Sequence, residues 1–206
     1  MLYRKVCWSC LCLGLLLITA VIFITACNPS KFDELKSIPL IESSDEQRYR
    51  LYTRKDFGLR FNHQLGHNSV KIDVPTNISV MLLDRSFREV DYFYYKKFNS
   101  WFSKVKFENG IMPINQNESL DCDNFAMLYK SFMSVASYKS GIEHEPAVGL
   151  VVVEQRHPFG GIPSGPLHML NIVFTHRAWY IFEPQTGKYI ELENYPNQKY
   201  IRTIII

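Results

Sequence analysis

The polarity of this chain changes in steps, and each step predicts a different kind of structure. Leu11 to Ile24 is an apolar run that follows the positive pair Arg4 and Lys5, the order of a secretory leader, which would occupy residues 1–26. Residues 27–47 are polar and broken by Pro29 and Pro39, as a tether would be. Residues 48–206 then carry the patterning of one globular domain. Tyr49 to Phe61 and Val70 to Leu83 hold β-branched and aromatic residues between Gly58, Gly66, Pro75 and Asn77, which predicts short strands. From Asp84 to Val105 the period becomes helical. Phe87, Val90, Tyr94, Phe98, Trp101, Phe102 and Val105 recur at three- and four-residue steps, with Lys96, Lys97 and Lys104 off that stripe.

Asn109, Gly110 and Pro113 interrupt the chain before a second predicted helix, Cys122 to Tyr138. Asp121 suits its N-cap, Phe125, Leu128, Tyr129, Phe132, Val135 and Ala136 its buried side, and Gly141 its stop. Val148 to Glu154 is an apolar run of the length of a buried strand. After the Gly- and Pro-rich stretch of residues 158–166, His168 to Phe174 and Ala178 to Glu183 form the clearest hairpin signal. A turn centred on Thr175 and His176 would pair Phe174 with Arg177 and set His168 opposite Glu183. A slip of one residue would send the two side chains to opposite faces.

Charge excludes one class of partner. The formal net charge is only +3, two of the positive residues lie in the leader, and no basic run remains, so a nucleic-acid ligand is not expected. Cysteine usage then supplies the candidate chemistry. Cys7, Cys10, Cys12 and Cys27 belong to the leader or its end, which leaves Cys122 as the one thiol of the domain, with no partner for an internal disulfide. In the first turn of a helix, unpaired N–H groups and the macrodipole favour its thiolate, the form that attacks carbonyl carbon. Asp121 and Asp123 oppose that ionisation from either side. On paper His168 would exchange the thiol proton, Glu183 would orient the ring, and Gln116 would donate to an oxyanion. His63 and His67, four residues apart but beside Gly66 in a strand-like segment, do not make a convincing metal pair.

Three stretches resemble known families. Ile24-Thr25-Ala26-Cys27 resembles the bacterial lipobox, which implies cleavage before Cys27 and lipidation of its thiol; Asn28, by the same resemblance, implies the outer membrane, facing the periplasm. An uncleaved transmembrane anchor over Val6 to Ala26 is the alternative. Asp121-Cys122-Asp123-Asn124-Phe125-Ala126 is similar to the signature of bacterial transglutaminase-like cysteine proteinases. The His168 strand and the turn Glu183-Pro184-Gln185-Thr186-Gly187 look like the papain-like C-terminal domain of certain fungal agglutinins. These resemblances imply an α+β papain-like/transglutaminase-like fold, with the nucleophile helix packed on an antiparallel sheet. They also imply a Cys-His-Glu cysteine peptidase acting on an extracytoplasmic protein or peptide, and calcium held by Asp121 and Asp123. The alternatives are an NlpC/P60-like peptidoglycan amidase or endopeptidase and a catalytically silent binding lipoprotein of the same fold.

Overall fold

The structure is a computed structural model that describes residues 36–41, 51–53, 78–110 and 121–206. The leader, the lipobox with Cys27, most of the tether, His63, His67 and Gln116 lie outside the described residues. The chain divides into two units, Met1–Ile38 and Pro39–Ile206, and all the described strands lie in the second. No described helix is long and apolar enough to cross a membrane.

Nine strands and two α-helices make up the described domain. In chain order they are β1 (Leu51–Thr53), β2 (Ser79–Met81), β3 (Ser86–Arg88), α1 (Tyr92–Glu108), α2 (Cys122–Lys139) and β4 (Glu145–Pro146). Then come β5 (Val148–Gln155), β6 (Gly165–Phe174), β7 (Trp179–Glu183), β8 (Lys188–Glu191) and β9 (Ile201–Ile205). The large sheet has six strands in the order β2-β9-β5-β6-β7-β8, and β1, β3 and β4 form a small one. Both α-helices end on recognisable chemistry. Asp91 Oδ1 accepts from Tyr94 N at 2.6 Å at the head of α1, and Gly141, with φ +74°, follows the end of α2 where a left-handed residue is needed.

The sheet has an aliphatic cluster and an aromatic one. Val151, Val153, Leu170, Ile172, Trp179, Ile181 and Ile204 pack in the first. Phe182 meets Tyr129 of α2 at 4.4 Å between ring centroids, and Phe102 of α1 stands edge-on to Tyr129 at 5.2 Å. Alternation along β7 thus sends Ile181 to one face and Phe182 to the other. Polar bonds set the height of α2 on the sheet: Asn171 Nδ2 donates to Ala126 O at 2.9 Å, and Lys130 Nζ to Val148 O at 2.8 Å.

Two expectations need correction. The helix expected from Asp84 starts at Tyr92, because Ser86–Arg88 is taken as a strand between β1 and β4, and Asp91 supplies the cap. The expected papain-like/transglutaminase-like α+β fold, a nucleophile helix on an antiparallel sheet, is not the architecture found. The described domain is mostly β, and its sheet is mixed, since β9 pairs with β2 in parallel and with β5 in antiparallel fashion. Residues 188–206 bring about the difference. They supply β8 and β9, and β9 enters the sheet between two strands that are distant in sequence, a pairing that no local pattern encodes.

Gly149 marks the tightest part of that insertion. A Cβ there would meet Ile205 O at 2.6 Å and Ile206 Cγ1 at 2.7 Å. Gly149→Ala should force β5 and β9 apart and cost about 1–3 kcal/mol, measured by urea unfolding; an unchanged midpoint would contradict the close approach.

Candidate functional site

α2 begins at Cys122 because Asp121 caps it. Asp121 N donates to Asn124 Oδ1 at 3.2 Å, the return half of a capping box with Asn124. Cys122, in the first turn and half-buried, is the one free cysteine among the described residues.

The hairpin brings the other two residues together, though not in the expected register. Phe174 pairs with Trp179 rather than Arg177, and the ladder runs to Asn171 opposite Phe182, because the connection holds four residues, with Thr175 N donating to Ala178 O at 3.0 Å. His168 is therefore not directly opposite Glu183. The register differs from the expected one by two residues, an even number that preserves side-chain parity, so the pair still meets on a diagonal. His168 Nε2 lies 2.5 Å from Glu183 Oε2, with the carboxylate fully buried and the ring nearly so.

His168 Nε2 is engaged by Glu183, and the ring also interacts with Cys122. Burial by itself would lower the His168 pKa; hydrogen bonds with Cys122 and Glu183, and their charges, overcome it and lift the pKa to about 9. At neutral pH the ring is an imidazolium facing the thiol. Asp123 is raised above the usual carboxylate range, first by a hydrogen bond shared with Asp121, then by burial and by the Asp121 charge.

Glu183 is held from two further sides. Its Oε1 accepts from Gln185 N at 2.9 Å, and Gly187 N donates to its carbonyl at 2.8 Å, closing the turn between β7 and β8. Gly160 presses on that turn from the 158–166 loop. A Cβ at Gly160 would lie 3.2 Å from Glu183 Cγ, and its φ of +62° favours glycine in any case. Reciprocal bonds between His157 and Asn197, and Gln155 Nε2 donating to Ile162 O and Pro163 O, make this loop an ordered wall. Beside it an open polar cleft, lined by Glu154, Gln155, Arg156, Ser164, Gly165 and Pro166, runs to the start of β6, two residues short of His168.

The structure thus brings together Cys122, His168 and Glu183, with Asp121 and Asp123 flanking the thiol. It leaves Gln116 and Cys27 outside the described residues. Among the described residues no group of three or more His, Cys, Asp or Glu is placed to hold a metal ion, and the two aspartates supply only part of the six to eight oxygens that calcium takes. Sequence reading missed Lys106, which is almost fully buried behind Glu183. Its signal was present, because Lys106 falls four residues after Phe102 on the apolar stripe of α1.

No protein-family model matches the chain, and no curated protein matches it in sequence. Solved structures are similar to it, two of them as follows. One, described as a complex of PSL1a with E64, is 15% identical, with a TM-score of 0.51 over 76% of this chain and 51% of that chain. The other, a Polyporus squamosus lectin bound to a human-type influenza-binding epitope, is 15% identical, with a TM-score of 0.49 over 76% of this chain and 49% of that chain. The chain spans about half the length of the solved chains it matches, and at this identity the likeness concerns fold alone. Neither is described as papain-like, transglutaminase-like or a peptidase. The expected assignment as a cysteine peptidase enzyme is withdrawn on that finding.

The His168 pKa carries a consequence for stability. Unfolded, the ring titrates near 6.5; folded, at about 9. The stabilisation by the charged ring is whole below the unfolded value and is lost as pH rises through the folded one. Between about pH 6 and pH 10 the advantage in unfolding free energy that the charged His168 ring gives the wild type over His168→Gln should shrink by up to about 3 kcal/mol. Parallel profiles for the two proteins, measured by urea titration, would refute it.

Proposed function

We propose that this chain is a lipoprotein of the bacterial cell envelope, anchored through Cys27 and facing the periplasm from the outer membrane. Its domain binds an extracytoplasmic protein or peptide at a thiol site made of Cys122, His168 and Glu183. The observation that carries the reading is the buried His168–Glu183 pair, hydrogen-bonded at 2.5 Å and engaged with a thiol at a helix N-terminus.

The chemistry follows from that pair. Glu183 stabilises the charged ring, and the ring presents an N–H to Cys122, which favours a nucleophilic sulfur poised for an electrophilic or hydrogen-bonding ligand. The N-terminus of α2 adds backbone N–H donors beside it. The cleft from Ser164 to Pro166 gives an extended ligand a polar floor on which to approach, with Leu167 exposed at its end. Calcium would be held by the carboxylate oxygens of Asp121 and Asp123, whose negative charge it would offset.

Thiol labelling tests the site. Iodoacetamide should alkylate Cys122 at least about tenfold faster in the wild type than in His168→Ala, because the thiolate is the reacting form. E64, the molecule held by PSL1a, should protect the wild-type thiol. Equal rates in the two proteins would sink the reading; turnover of an added peptide would replace binding with catalysis, and retention of a glycan instead of a peptide would overturn the ligand class.

Calcium has its own readout. At about a hundred times its dissociation constant it should add roughly 3 kcal/mol to stability, several degrees in Tm, and Asp121→Asn with Asp123→Asn should abolish the gain. Identical melting curves with calcium and with chelator would remove the metal from the proposal.

A further inference from the structure

Lys106 is the one residue of α1 whose charged end turns inward to the site. Its side chain is 5% exposed. The ammonium donates to Pro184 O and, at 2.8 Å, to Gln185 O, the two carbonyls that follow Glu183. It also lies over two aromatic faces, Phe102 at 5.1 Å and Phe125 at 5.3 Å from the ring centroids, and Phe125 stands in the first turn of α2 with Cys122.

The Pro184–Gln185 peptide is gripped at both ends. Its N–H, on Gln185, donates to Glu183 Oε1, and its carbonyl, on Pro184, accepts from Lys106, which also donates to Gln185 O. A shift of that peptide would move the carboxylate that it holds. We propose that Lys106 is a positioning residue of the thiol site: by pinning the Pro184–Gln185 turn it fixes the Glu183 carboxylate, and through it the orientation of His168 toward Cys122. The inference rests on the reading of Cys122, His168 and Glu183 as a thiol site and deepens it.

A purely structural role would predict something else. Burying an ammonium is costly, and a hydrophobic side chain of similar length often replaces a buried ion without loss of stability. Lys106 retains its charge despite burial. Burial lowers its pKa to about 8, with the Glu183 carboxylate opposing that fall, so it is a cation at neutral pH. Together with the His168 imidazolium it offsets the charge of the buried Glu183 carboxylate.

The test uses the whole domain with Lys106→Met, Lys106→Arg, Glu183→Gln and the double variant Lys106→Met/Glu183→Gln. The iodoacetamide labelling rate of Cys122 at neutral pH should fall about tenfold in Lys106→Met, and the double variant should label no more slowly than the slower single one, as expected for residues acting through one contact. Lys106→Arg should recover most of the rate. Losses that multiply in the double variant, or wild-type labelling in Lys106→Met, would overturn the proposal.

The downfield Nε2 proton of His168, followed by NMR, gives a reading that does not involve the thiol. It should move upfield or vanish by exchange in Lys106→Met and return in Lys106→Arg. An unmoved resonance would overturn the positioning role, even if His168→Ala labels like the wild type and the thiol-site reading itself has failed. If Lys106→Met does not fold, Lys106→Gln, which keeps one donor, carries the same two measurements.

Discussion

The Glu183 carboxylate has no exposure to water, and its burial constrains everything around it. An isolated buried carboxylate costs several kcal/mol, so its oxygens need partners and its charge needs a neighbour. Oε2 has His168, Oε1 has Gln185 N, and Lys106 stands within electrostatic reach. Each partner commits a different element. β6 brings His168, the turn between β7 and β8 brings Gln185, and α1 brings Lys106. The loop with Gly160 packs against Glu183 as well, where a Cβ would come within 3.2 Å of Glu183 Cγ.

The hairpin shows why the acid–histidine pair was legible and its register was not. Periodicity located both strands, and parity alone decides which face a side chain takes. The four-residue connection from Thr175 to Ala178, tied by Thr175 Oγ1 accepting from Ala178 N at 3.2 Å, displaced the pairing by two residues. An even displacement kept His168 and Glu183 within reach, where an odd one would have parted them. The second helix was legible from Asp121 and from Phe125, Tyr129 and Ala136, while Met133 is fully buried where Leu128, Phe132 and Val135 were expected to be and are only half-buried. The first began late because Phe87 and Val90 satisfy a helical stripe and a strand equally well, and tertiary pairing of β3 with β1 decided between them.

The sheet was the larger surprise, and it has a physical reason. Pairing of β9 with β2 joins residues more than a hundred positions apart, and what stabilises it is contact rather than pattern: Leu83 N donates to Ile206 O at 2.7 Å, and Ile206 N to Met81 O at 2.9 Å. Val148 to Gln155 reads as a buried apolar run in sequence because both its neighbours are strands, β6 on one side and β9 on the other. Lys106 was hidden for the opposite reason. A lysine on a helix reads as solvated surface unless its place on the apolar stripe outweighs its charge.

The aspartates beside Cys122 differ in the folded chain from their appearance in sequence. Two carboxylates flanking a thiol pose a charge conflict that calls for a cation. In the folded chain the neighbouring Asp121 raises the Asp123 pKa, first through side-chain hydrogen bonding, then through burial and the Asp121 charge. A proton on Asp123 would relieve the same repulsion that a cation would relieve, and the two would compete for the same oxygens. On the other side of the sulfur His168 is already charged. The thiol thus has an imidazolium supported by Glu183 as one neighbour and an acidic pair as the other, so a change in the charge of the pair would change the field at the sulfur.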